Sequence, residues 1–148
     1  MFKNILVPTD GSEFSDAAIE EAAKLAKALG AKLVLFNAAP QRLPPLTEGF
    51  SAPGRPKETE AVHRAAEAEA KKLLASAANN FNLSGLTVEQ QFTLSNSPYE
   101  AIIEAAKKFE CELIVMASHG RRGLEGVLLG SETQKVLTHS RVPVLVVR

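Results

Sequence analysis

Tryptophan is absent from this sequence of 148 residues, tyrosine occurs once and cysteine once. A single thiol, Cys111, excludes an internal disulfide and any metal centre built on several thiolates. Its place just before an apolar run reads as a quiet packing thiol. The shortage of aromatics argues against a flavin carrier, whose isoalloxazine ring is ordinarily stacked on such side chains. Net charge is missing too, since 17 Lys plus Arg balance 17 Asp plus Glu. No long-range field therefore favours nucleic acid, an anionic membrane surface or a polyanion, and any bound anion has to be gripped locally. No apolar run approaches the roughly 18 residues of a membrane span. The apolar start Ile5-Leu6-Val7 is closed by Pro8-Thr9-Asp10, too soon for a signal sequence. A cytoplasmic location is expected, with neither membrane nor nucleic acid as partner. His63, His119 and His139 lack ligand spacing, so no resident metal is expected.

What is present is a regular alternation of short apolar runs and amphipathic segments. A chain near 150 residues buries about 70% of its unfolded surface, enough for one core, so one domain over residues 1–148 is expected. Asn4-Ile5-Leu6-Val7 reads as a strand buried on both faces. From Ser12 the apolar positions Phe14, Ala18, Ala22, Leu25 and Leu29 recur at helical spacing, and Gly30 closes the helix. Leu33 to Phe36 is a second strand. Residues 38–57 hold Pro40, Pro44, Pro45, Pro53 and Pro56, which predicts a long, mobile loop. Glu58 to Ala78 predicts a second helix, and the alternation from Leu86 to Leu94 a half-exposed edge strand.

Ser97-Pro98-Tyr99-Glu100 has the form of a capping box and opens a third helix through Phe109. Leu113 to Met116 is a fourth strand, residues 117–130 a glycine-rich loop, Glu132 to Thr138 a last helix and Val144 to Val147 a fifth strand. The fold class is α/β: a single doubly wound, five-stranded parallel sheet with helices on both faces, Rossmann-like in build. Such sheets bind ligands beyond the carboxyl ends of their strands. Two loops there carry small polar residues, Pro8 to Ser12 and Ala117 to Ser131. In the second, Gly120, Gly123, Gly126 and Gly130 let backbone approach a phosphate, and Gly130-Ser131 begins a helix whose free N–H groups favour an anion. No lysine precedes Ser131, so this is not a Walker loop. A phosphoryl-accepting receiver domain is set aside because Asp10 has no acidic neighbour after the first strand.

Three motifs carry a resemblance. Val7-Pro8-Thr9-Asp10-Gly11-Ser12 is similar to the first turn of universal stress proteins, Pro143 to Val147 to their last strand, and Gly120, nine residues, Gly130-Ser131 to the phosphate loop of their ATP-binding members. Ala117 stands where that loop has its first glycine. The resemblance spans the chain and implies the strand order three, two, one, four, five. It implies an ATP-binding regulatory or stress-response protein, not an enzyme, in which nucleotide acts on a homodimer joined through Val144–Val147. Asp10, with Pro8 and Thr9, would face the adenosine and Ala38 the adenine. Gly120, Gly130, Ser131 and Thr133 would hold phosphates, with Met116, Ala117, His119 and Glu132 completing the rim. A magnesium or manganese ion would be held mainly by the phosphates. A side chain at position 130 should then obstruct the anion while leaving the unliganded protein as stable as before, unless Gly130 has positive φ. The alternative is a family member without nucleotide that acts only through protein contacts.

Overall fold

A computed structural model of the chain describes residues 1–42, 56–120 and 128–148, with backbone alone at 56–58. Most of the proline-rich stretch expected to be mobile, and Arg121, Arg122, Gly123 and Gly126, lie outside the described residues. In chain order the elements are β1 (Asn4–Pro8), α1 (Glu13–Leu29), β2 (Lys32–Ala39), α2 (Pro56–Asn80), β3 (Val88–Leu94), α3 (Pro98–Lys108), β4 (Leu113–Ala117), α4 (Ser131–His139) and β5 (Val144–Val147). Every strand pairing is parallel, and the sheet order is β3-β2-β1-β4-β5.

The continuous apolar runs follow from burial on both sides of this sheet. Ile5, Val7, Leu33, Leu35, Leu113 and Val115 point to one face, where they pack with α1 and α2. Leu6, Val34, Phe36, Ile114 and Met116 point to the other, under α3 and Val136 of α4. Phe36 and Ile114 are fully buried, and each such side chain contributes about 1.5–3 kcal/mol relative to exposure. At the edge strand β3 the alternation has a simple cause. Val88 and Phe92 meet the α1/α2 layer, whereas Glu89, Gln91 and Thr93 pair in register with Val34, Phe36 and Ala38 on the opposite face.

Two local expectations are corrected. Ser12 caps α1 by accepting from Ser15 N at 3.3 Å, but the buried face of this helix runs through Ser15, Ala18, Ile19, Ala22, Ala23 and Ala26. Phe14 is 48% exposed and off the core. Ser15 can be buried because its hydroxyl reaches Thr9 Oγ1 at 3.0 Å and Ser12 O at 2.9 Å. The second correction concerns α3, which begins at Pro98 without a capping box. Ser97 makes no side-chain cap bond, and the Glu100 carboxylate takes the Tyr99 hydroxyl at 2.9 Å instead. The carboxylate that caps α3 is Glu132 of α4, accepting from Tyr99 N at 2.9 Å.

Candidate functional site

β1 and β4 lie side by side at the centre of the sheet, and the chain winds outward from them in both directions. Their following loops meet beyond the carboxyl ends, the switch point at which open parallel sheets hold ligands. On the β1 side, Thr9 is buried and wholly engaged by protein. Its N–H donates to Phe36 O at 2.8 Å, its carbonyl accepts from Asn37 Nδ2 at 2.9 Å, and its hydroxyl meets Ser15 Oγ and Gly11 N. Thr9 thus fixes the turn, and Asp10, half-buried, is presented beside it. Asp10 Oδ1 accepts from Ser12 N at 2.9 Å. Burial, then the charges of Glu13 and Asp10, push the Asp16 carboxyl above its ordinary range.

On the β4 side, Met116, Ala117 and Ser118 are buried, and Gly120 is exposed. Ser118 N donates to Val147 O at 2.8 Å and Ser118 O accepts from Gly130 N at 2.6 Å. Thr133 Oγ1 donates to Ala117 O at 2.9 Å, so this hydroxyl fastens α4 to the end of β4. His119 Nδ1 lies 3.0 Å from Ser118 Oγ. Gly130, with φ −65°, precedes α4 and makes no side-chain cap. Ser131 is exposed in the first turn.

Both glycines lie close to neighbouring protein atoms. A Cβ on Gly120 would come within 2.9 Å of Asp10 Oδ2, and one on Gly130 within 3.2 Å of Ser118 O and 3.3 Å of His119 Cα. Asp10, His119, Gly120, Gly130 and Ser131 are therefore brought together. Ala38, half-buried near the end of β2, packs against the α3/α4 core layer, and Pro8 ends β1. Glu132 turns toward α3 and Lys135, the latter at 3.2 Å. The Ala117 methyl sits in the core layer beneath α1 and α2. At Gly130 φ is negative, so a side chain there meets no left-handed penalty, and its Cβ would press on backbone of the same loop at Ser118 and His119. Asn37, Ser15 and Ser118 were missed by sequence reasoning. Their one signal is a polar residue bordering a buried apolar run, where an unpaired polar atom would be costly.

Two depressions lie elsewhere. One of about 480 Å³ is lined by Lys3, Lys27, Lys32 and Gly85 at the amino ends of the strands. Lys27 donates to Asn82 O at 2.8 Å and Lys32 pairs with Glu89 at 3.0 Å, so two of its cations are already engaged. The other, about 300 Å³, runs between the end of β3 and α3.

The profile of the universal stress protein family matches residues 1–148. The universal stress protein in the QAH/OAS sulfhydrylase 3′ region of Thermus aquaticus is 36% identical over 148 residues, covering 100% of both chains. A universal stress protein from Methanocaldococcus jannaschii, solved as a test case of structural genomics, is 26% identical with a TM-score of 0.77 over 99% of this chain and 96% of that one. A universal stress protein solved in complex with cAMP is also 26% identical, with a TM-score of 0.69 over 99% and 97% of the two chains. With a match along its whole length in sequence and in shape, the chain belongs to the universal stress protein family.

Proposed function

We propose that the chain binds an adenine nucleotide, ATP with magnesium or manganese, in the crevice between the β1–α1 turn and the β4–α4 loop. Bound nucleotide acts by altering the shape and contacts of a homodimer, and no reaction is fuelled by it. The observation that carries this reading is the convergence of Asp10, Gly120 and Gly130-Ser131 just beyond the carboxyl ends of the neighbouring strands β1 and β4, with Gly120 close to the Asp10 carboxylate. Gly130-Ser131 opens α4, whose N–H groups and dipole suit a phosphate. Asp10 suits a ribose hydroxyl, and the backbone near Ala38 suits the adenine edge. Among relatives of comparable identity, one is a complex with cAMP, which supports an adenine nucleotide over other anions. The divalent ion would be held chiefly by phosphate oxygens and water, as hard cations prefer.

The dimer reading rests on β5, which among the described residues pairs only with β4 and ends the sheet. Leu145 on this strand is 43% exposed and Leu137 on α4 40% exposed. An apolar edge with unpaired backbone groups invites a second copy.

The test is titration calorimetry with magnesium and ATP, together with mass analysis of any small molecule released when the purified protein is denatured. Ligand at a hundred times Kd adds about 2.7 kcal/mol, which raises Tm by roughly 5–10 °C for a chain of this size. No heat and no melting shift at millimolar ATP would refute the nucleotide reading and leave the dimer that acts through contacts alone.

A further inference from the structure

Phe14 is an apolar side chain in an unexpected place. Helical spacing assigns it to the core, yet it stands 48% exposed on the first turn of α1. Its ring centroid lies 5.7 Å from that of His119, with the planes tilted by 46°. That separation and tilt fall within the range in which aromatic rings attract through their quadrupoles.

The two ends of this contact belong to segments far apart in the chain. On the α1 side the first turn is fixed by four side-chain bonds: Ser12 N to Asp10 Oδ1, Ser15 N to Ser12 Oγ, Ser15 Oγ to Ser12 O, and Thr9 Oγ1 to Ser15 Oγ. On the other side, His119 lies just past the last strand pairing of β4, in neither helix nor strand. Its Nδ1 is 3.0 Å from Ser118 Oγ, and its Cα is one of the atoms against which Gly130 is packed. The ring pair therefore ties a rigid turn to the loop that must present backbone to a ligand.

We infer that Phe14 is a positioning residue for the nucleotide site: its ring holds His119, and through it the backbone of residues 118–120, against Gly130-Ser131. The inference rests on the nucleotide reading above. Phe14 touches no reacting atom in this scheme and acts through His119.

A double-mutant cycle in the full-length protein tests it, with Phe14→Ala, His119→Ala and the double variant titrated with magnesium and ATP. Histidine ring protons are followed in parallel by NMR, those of His119 being identified by their loss in His119→Ala. Removing the ring contact should weaken binding about three- to tenfold. Phe14→Ala should add no loss in the His119→Ala background, and it should shift the His119 ring protons while leaving those of His63 and His139 in place. Phe14→Leu, which keeps apolar bulk on the turn without a ring, should reproduce the loss if Phe14→Ala folds poorly. Equal or tighter binding by Phe14→Ala and Phe14→Leu, losses that multiply independently, or unmoved His119 protons would overturn this inference alone. Failure of the wild type to bind would overturn the nucleotide reading and the inference with it.

Discussion

Helices α1 and α3 end in the same way but with different residues, and the difference predicts a stabilising substitution. Gly30 closes α1 at φ 65° and Ala31 N bonds back to Ala26 O at 2.9 Å. After α3, Glu110 occupies the corresponding place at φ 51°, and Cys111 N bonds back to Ala106 O at 2.8 Å. A left-handed conformation costs an L-residue other than Asn or Asp about 1–2 kcal/mol, because Cβ crowds the carbonyl that follows. Glycine avoids this cost but adds about 0.4–1 kcal/mol of freedom to the unfolded chain. Glu110→Gly should therefore stabilise by about 0.5–1 kcal/mol, or roughly 1–4 °C in Tm. The Glu110 side chain is exposed, and the bond it helps form, from Asn4 Nδ2 to Glu110 O at 3.2 Å, uses backbone that glycine retains. Gly30→Ala is the mirror test. A Cβ there meets no atom within 4 Å, so the conformational penalty acts without a steric one and destabilises by a similar amount. Calorimetry and urea unfolding at neutral pH read both changes. Glu110→Gly lowering the midpoint, or the two variants moving in the same direction, would refute the reasoning.

Ala117→Gly restores the glycine of the family loop, but it removes a methyl buried in the core and loosens the end of β4. Thermal unfolding should show a loss of about 1 kcal/mol, with no gain in nucleotide affinity by calorimetry. Burial raises the Cys111 thiol to about 11, with the charge of Glu89 adding to the rise and Lys32 opposing it. The native protein should thus resist alkylation at neutral pH until denaturant is added. Because the folded value is raised, the protonated thiol supports folding below its ordinary value near 9, and that support is lost as pH climbs toward 11. Cys111→Ala should flatten the corresponding alkaline fall in stability measured by urea unfolding. Leu145→Arg sets a charge on the open edge of β5, and sedimentation at tens of micromolar should show a dimer for the wild type and a monomer for the variant.

The helices and strands were legible because their causes are local. Apolar runs flanked by Pro8 and Gly11 mark β1, and Ser12 and Gly30 mark the ends of α1 by their own chemistry. What local patterning missed has partners far along the chain. Of the five apolar positions read on α1, Ala18 and Ala22 are buried and Leu25 and Leu29 pack against the core, while Phe14 stands outside and Ser15 is buried through Thr9. The start of α3 was found from Pro98, yet its capping carboxylate comes from Glu132. Glu110 gave no sign of positive φ, since nothing in a glutamate announces it. The strand order came from the family resemblance, and this matters most for the site. Neither the β1–α1 turn nor Gly120 makes this juxtaposition alone. Only when β1 and β4 are neighbours does Asp10 Oδ2 come close enough to Gly120 to meet a Cβ built there, at 2.9 Å. The tight spacing at 120 is thus a consequence of topology. Substituting alanine there should displace the Asp10 carboxylate even in the absence of any ligand.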